Sequence, residues 1–281
     1  MRTILVPTDF SDNALCALRY AQELYKCRKA EFHVLHAFAD QVYGRFKNTT
    51  VSERKKTEQE VRIATEKKLA AWIEPAQGEP PNPLHHFRII AAFDSLVDAV
   101  NDFVNQINID LVVMGTKGET SANTTIFGSY TIQVFKYVTC PVLAVPSGYQ
   151  FRQPKMILFP TDYMLPYKRR ELKLLGDLAA DFKSEVYCLY ISDFEVLNDR
   201  QIDNRLFLKG TLSRAYLHFE IAPIKNKVDA IMDEIRTKDA TLLTMVNSRH
   251  SFFEDLLYQS SMDKLGLQVR IPFLVMQNLP R

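Results

Sequence analysis

Glycine is scarce in this chain, with 9 in 281 residues. That excludes glycine-rich repetitive architectures and makes any local cluster of glycine worth explaining. Cysteine is scarcer still. Cys16, Cys27, Cys140 and Cys188 are scattered, with no CxxC pair and no metal-ligand spacing. This excludes a disulfide framework, and the four read as reduced and structural. No charge of one sign prevails: 35 basic residues stand against 33 acidic ones, net +2. That balance gives no basis for nucleic acid or an anionic membrane as partner. Nor does any apolar run approach the roughly 18–20 residues of a membrane span. Met1 leads straight into "RTILVPTD" without the apolar stretch of a signal peptide, so a cytoplasmic location is expected. His85 and His86 are adjacent, a spacing that suits neither a helical nor a strand ligand pair, and they read as a loop-to-strand junction.

What is present is a rhythm. Apolar runs of five to eight residues stand at Thr3–Pro7, Glu31–Phe38, Arg88–Ala92, Ile109–Gly115 and Pro141–Pro146. Continuous Val, Ile and Leu runs of that length fit strands covered on both faces. Helical stretches lie between them. One starts after Ser11, a good N-cap, and runs through "DNALCALRYAQELYK". A long charged one, "SERKKTEQEVRIATEKKLAAWI", carries an apolar stripe at Val61, Ala64, Leu69 and Trp72. Two more follow Asp94 and Gly128. Strands alternating with helices predict a parallel α/β sheet with helices on both faces.

The pattern then repeats. Pro7-Thr8-Asp9 returns as Pro160-Thr161-Asp162, and "CPVLAVP" returns as "IPFLVMQ". The second set of strands is Glu185–Ser192, His218–Ala222, Thr241–Val246 and Pro272–Gln277, after the one that ends in Pro160-Thr161. Two domains are expected, at residues 1–147 and 154–281, joined by the polar segment Ser147–Pro154. The offset between copies falls from 153 (Asp9 to Asp162) to 132 (Gly115 to Asn247), so the second copy lacks 21 residues. The loss is expected in the long charged helix and the proline-rich loop after it.

Three of the nine glycines fall within 14 residues, as Gly115-x2-Gly118-x9-Gly128-Ser129. This is neither a P-loop nor GxGxxG. Gly115 follows the carboxyl end of a strand, where open α/β sheets bind ligands. Gly128-Ser129 opens a helix, whose free N–H groups and dipole favour an anion. Lys117 adds positive charge. On spacing alone, the pattern is better explained by a loop that turns on glycine and a serine N-cap, since short glycine patterns are weak evidence.

The wider pattern resembles the universal stress protein family. The resemblance rests on "ILVPTDFSDNALCALRYA", "VLHAF", "DLVVMGTKG", the "GS" nine residues later and "CPVLAVP". It implies two tandem Rossmann-like domains of the adenine nucleotide alpha hydrolase type, each a five-stranded parallel sheet of order 3-2-1-4-5. It also implies an ATP site, with AMP as the alternative and magnesium held through the phosphates. By resemblance, Asp9, after Pro7 and Thr8, meets the ribose and adenine region. Ala37, after His36, lines the adenine pocket, and Met114 and Gly115 lie near the ribose. Thr116, Lys117 and Gly118, with Gly128, Ser129 and Tyr130, wrap the phosphates. Tyr130 departs from the small or aliphatic residue often found there, and its ring would crowd a triphosphate.

In the second copy Asn247, His250 and Ser260 replace the three glycines, while Ser261 matches Ser129. Side chains there should block close backbone approach, so only the first domain is expected to take nucleotide. Asp162 reads as a turn residue. Family members pair through their last strands, which implies an internal pseudo-dimer of the two domains, with a further homodimer open. No catalytic or metal-ligating constellation is legible, so a binding and signalling module with an unknown protein partner is expected. A slow ATPase and a nucleotide-free interaction scaffold are the alternatives.

Overall fold

The computed structural model describes residues 1–44, 51–116, 127–191, 196–222, 227–248, 253 and 269–278. The chain divides into two compact units, Met1–Gly148 and Tyr149–Arg281.

In the first unit the strands are β1 (Arg2–Pro7), β2 (Ala30–Ala37), β3 (His85–Ala92), β4 (Leu111–Gly115) and β5 (Val142–Val145). They lie in the order β3-β2-β1-β4-β5, and every pair is parallel. This is the 3-2-1-4-5 order that the resemblance implies. The helices are α1 (Asp12–Leu24), α2 (Ala39–Tyr43), α3 (Val51–Ile73), α4 (Leu96–Ile107) and α5 (Ser129–Tyr137). β1 reads as an apolar run because it is covered on both sides: Ile4, Leu5 and Val6 are fully buried. Its start is fixed by Asp110, which takes hydrogen bonds from Arg2 Nη1 at 3.0 Å and from the Thr3 amide at 2.9 Å. Ser11 caps α1, accepting from the Ala14 amide, and Ser95 caps α4 in the same way through Asp98.

Helix α3 corrects one expectation. Its buried stripe is Val61, Thr65, Leu69 and Ile73, an unbroken i, i+4 series. Ala64 is exposed and Trp72 half-buried. A helix this charged shows a narrow seam, and Thr65 is small enough to sit in it. His85 and His86 open β3, as the junction reading expects.

The second unit repeats the sheet with β6 (Met156–Thr161), β7 (Glu185–Ile191), β8 (Tyr216–Ala222), β9 (Leu242–Asn247) and β10 (Phe273–Gln277). Their order is β8-β7-β6-β9-β10, again all parallel. Its helices are α6 (Arg169–Phe182), α7 (Asp199–Thr211) and α8 (Lys227–Thr237). The missing residues fall where expected: the 13-residue α7 stands in place of the 23-residue α3.

Candidate functional site

Both copies build the same turn after their first strand. Phe10 has φ +69° and Tyr163 φ +55°, in a left-handed region that is costly for bulky residues. Side chains hold each turn in place. Thr8 Oγ1 accepts from the Phe10 amide at 2.9 Å, and Asp9 Oδ1 accepts from the Ser11 amide at 3.1 Å. In the second copy, Thr161 Oγ1 accepts from the Tyr163 amide and Asp162 Oδ1 from the Met164 amide, both at 2.9 Å. Pro-Thr-Asp is thus a turn-building triplet first, and Asp162 is the turn residue expected. Strain of this kind gathers at sites where a scaffold must present groups in one orientation.

The turn after β1 stands beside the end of β4, because β1 pairs with β4 through Ile4–Leu111 and Leu5–Val112. This is the topological switch point, with the chain leaving β1 and β4 in opposite directions along the sheet. A cleft of about 280 Å³ opens there. β1 and its turn contribute Pro7, Thr8 and Asp9, and β2 contributes His36 and Ala37. β4 contributes Met114 and Gly115, and the start of α5 contributes Gly128, Ser129 and Tyr130. Lys117 and Gly118 lie outside the described residues.

The cleft also holds groups that no sequence motif marks. Asp40 and Gln41 come from α2, Asp94 from just past β3, and Thr131 from α5. The sequence does carry a signal for them: a carboxylate just beyond the carboxyl end of a parallel strand faces the ligand edge of the sheet, whichever strand it follows. The described lining therefore carries three carboxylates, Asp9, Asp40 and Asp94, and no lysine or arginine.

His36 is set as a neutral acceptor–donor relay. Its Nδ1 lies 2.7 Å from the Thr8 carbonyl and its Nε2 lies 2.7 Å from Gln41 Nε2. A carbonyl can only accept and an amide nitrogen can only donate, so Nδ1 carries the proton and Nε2 is bare. Burial holds its pKa below the ordinary 6.5, outweighing the Thr8 carbonyl and Asp9, which favour the charged form; Lys68 adds to the depression. Protonating Nε2 would also break the Gln41 bond. A depressed histidine pKa means that the unfolded chain binds the proton first. Its stabilising contribution is thus full above pH 6.5 and is lost as the pH falls through the lower folded value. Ligand affinity of the cleft is expected to fall in acid, as the pH drops through the depressed His36 value, and to lose much of that acid limb in His36→Gln. Titrations at pH 5 and pH 8 check this.

The end of β4 and the start of α5 are sewn together. The Gly128 amide donates to the Thr116 carbonyl at 2.8 Å. Thr131 Oγ1 lies 3.1 Å from the carbonyls of both Gly115 and Thr116. The Gly128 amide is therefore committed to the protein. The amides of Ser129 and Tyr130 in the first turn have no intrahelical acceptor, and they can meet an anion. Gly115 is needed for space rather than for a left-handed φ. A Cβ built on it would lie 2.5 Å from Asn13 Nδ2 and 2.7 Å from Asn13 Cγ. The Tyr130 hydroxyl reaches α2, 3.4 Å from Asp40 Oδ2.

In the second unit the position of Gly115 is held by Asn247, which is paired in register with Gln277 as Gly115 is with Val145. Asn247 Nδ2 donates to Gln277 Oε1 at 2.8 Å, both side chains buried. A side-chain pair occupies what is bare backbone in the first unit. His250, Ser260 and Ser261 lie outside the described residues.

A parallel sheet of order 3-2-1-4-5 with a ligand-sized cleft at its switch point defines the doubly wound α/β class. Within that class, the model of the universal stress protein family matches residues 1–146, over half of the chain, and the chain belongs to this family. Universal stress protein G of Salmonella typhimurium (strain LT2) is 27% identical over 149 residues, which span 51% of this chain and 98% of that protein. Among solved structures, a universal stress protein from Archaeoglobus fulgidus DSM 4304 aligns with a TM-score of 0.66 at 16% identity, covering 99% of this chain and 98% of the other. A functionally unknown protein from Pseudomonas aeruginosa PAO1 aligns at 0.55 and 14% identity, covering 99% and 92%. At such identities the structural likeness speaks for the fold alone. No helix among the described residues is long and apolar enough to cross a membrane.

Proposed function

We propose that the first unit binds one adenine nucleotide, ATP or AMP, and that the protein acts as a nucleotide-dependent stress or signalling module rather than as an enzyme. The observation that carries this reading is the cleft at the β1–β4 switch point, whose walls bring together Asp9, Ala37, Gly115 and the Gly128-Ser129 helix start. Residues from four separate elements, far apart in sequence, converge there.

The chemistry of the walls suits a nucleoside. Ribose hydroxyls and the adenine amino group are donors, and Asp9, Asp40 and Asp94 are acceptors. Ala37 and Met114 supply apolar surface for the base. A volume near 280 Å³ falls just below the usual range of ligand sites, about 300–1,000 Å³. It suits an enclosed nucleoside with its phosphates outside, toward the Ser129 and Tyr130 amides. A magnesium ion would be held through the phosphates. Among the described residues no group of three His, Cys, Asp or Glu could hold a metal.

The second unit serves as a partner for the first rather than as a second nucleotide site. The Asn247–Gln277 pair fills the place of Gly115, which supports that division. The reading is tested by denaturing freshly purified protein and identifying released nucleotide by chromatography and mass. About one adenine nucleotide per chain is expected. Two per chain would overturn the division between the units. None, with no binding on adding ATP and magnesium, would leave a nucleotide-free scaffold.

A further inference from the structure

The second unit has a cleft of its own, built on different chemistry. Helix α1 starts at Asp12, three residues after Asp9, whereas α6 starts at Arg169, seven after Asp162. The extra loop, Met164-Leu165-Pro166-Tyr167, includes a proline that disfavours helix at the residue before it. The delayed start leaves a cleft of about 350 Å³ at the carboxyl ends of β6 and β9. Its apolar lining is a floor of Phe159, Met245, Val246 and Phe253, all 5% exposed or less, with Met164, Leu165 and Pro166 of the loop reaching solvent above it.

The polar wall is Thr161 and Tyr167, 3% and 7% exposed, whose hydroxyls bond each other. The pair owns two hydroxyl protons, and their mutual bond uses one. Thr161 Oγ1 already accepts from the Tyr163 amide. One buried O–H donor is therefore left over, and a buried donor calls for an acceptor. At the rim stand two exposed cations, Lys168 and Arg200, neither in a salt bridge with a described residue. The acid in the lining, Asp162, has one carboxylate oxygen in its turn, and its carbonyl accepts from Gln201 Nε2 at 2.8 Å. The described lining thus carries one net positive charge, the reverse of the acidic first cleft.

We propose that this cleft is a second ligand site, for a small aromatic carboxylate with an oxygen acceptor at its far end. The flat body packs against Leu165 and Met164, whose polarisable sulfur suits an aromatic ring, over the buried floor of Phe159, Phe253 and Met245. The carboxylate meets Arg200 and Lys168 at the rim, where guanidinium pairing to a carboxylate is two-pronged. The far oxygen accepts the spare proton of the Thr161–Tyr167 pair. This site does not depend on the nucleotide reading of the first unit.

The test is titration of the full chain with 4-hydroxybenzoate, followed by calorimetry and ligand-observed NMR, with benzoate and methyl 4-hydroxybenzoate alongside. Saturable binding of one 4-hydroxybenzoate per chain is expected. Loss of the far oxygen (benzoate) or of the charge (the ester) should each weaken it about tenfold, the worth of one hydrogen bond or exposed ion pair. Arg200→Ala should match the ester. Tyr167→Phe leaves the Thr161 hydroxyl as the spare donor and should keep the preference over benzoate, whereas Thr161→Val with Tyr167→Phe removes both hydroxyls and should abolish it. Ser248→Trp, at the half-exposed mouth, should block binding while leaving the Tyr167 region intact. No saturable binding of any of the three ligands would overturn the proposal, as would equal affinity for all three or competition by ATP. A cleft that holds only water gives the first of these outcomes.

Discussion

Gly115→Val is expected to destabilise the first unit by about 1–3 kcal/mol and to remove nucleotide binding with it. The first Cβ atom would already lie 2.5 Å from Asn13 Nδ2 and 3.1 Å from Asn13 Oδ1, so the whole amide is in the way. Asn13 cannot simply swing clear, because it is 7% exposed on the first turn of α1. Either α1 lifts from β4 or the end of β4 bends, and both movements displace the wall of the cleft. Asn13→Ala removes the obstacle. Gly115→Ala alone should therefore be costly, while Gly115→Ala in an Asn13→Ala background should recover about 1 kcal/mol relative to additive effects. Urea denaturation of the four proteins in the cycle checks this. Strict additivity would show that no clash exists. Nucleotide titration of the same proteins shows whether affinity follows space at Gly115 or the loop glycines beyond it.

Glu171→Gln is expected to stabilise the second unit at pH 8 by on the order of 2 kcal/mol and to do nothing at pH 4. Glu171 lies in the first turn of α6, 3% exposed, and its Oε1 accepts from the Lys168 amide at 2.8 Å. Its Oε2 is buried without a hydrogen-bond partner among the described residues. Burial pushes its pKa up to about 7 from 4.5, outweighing the Lys168 amide and the charges of Lys168 and Arg170. A raised carboxylate pKa means that the folded state holds the proton longer than the unfolded state. The associated stability is full below pH 4.5 and is lost as the pH rises through about 7. Glutamine keeps the acceptor and never charges, so the difference between variant and native protein should open across pH 4.5–7. With two units in one chain, hydrogen exchange of the α6 amides reports the second unit directly. A pH-independent difference would mean that Glu171 is not the titrating group.

Much of the architecture is legible in the sequence. The apolar runs locate nine of the ten described strands to within three residues at either end. Cover on both faces explains this for the inner strands, which tolerate few polar side chains, but β3 and β8 correct the expectation, since they are mostly exposed or half-buried. Pro-Thr-Asp announces its own repeat because the same local turn is built twice. Sequence periodicity is less reliable on α3. Its surface is so charged that Ala64 and Trp72 look like part of a stripe, whereas burial selects Thr65 and Ile73 instead. An exposed alanine and a buried one are the same letter, and only packing separates them.

Local chemistry alone sets the alternation of strands and helices, the duplication, and the concentration of glycine after β4. Side-chain periodicity, turn chemistry and backbone permission each act over a few residues, so all three can be read along the chain. Which groups face one another is settled by packing at long range. It gathers Asp40 and Asp94 beside Asp9, gives His36 its single tautomer, and makes Gly115 a matter of room for Asn13. It also turns four extra loop residues before α6 into a cleft unlike the first. Those outcomes rest on contacts between residues distant in the chain, whose distances no local pattern encodes.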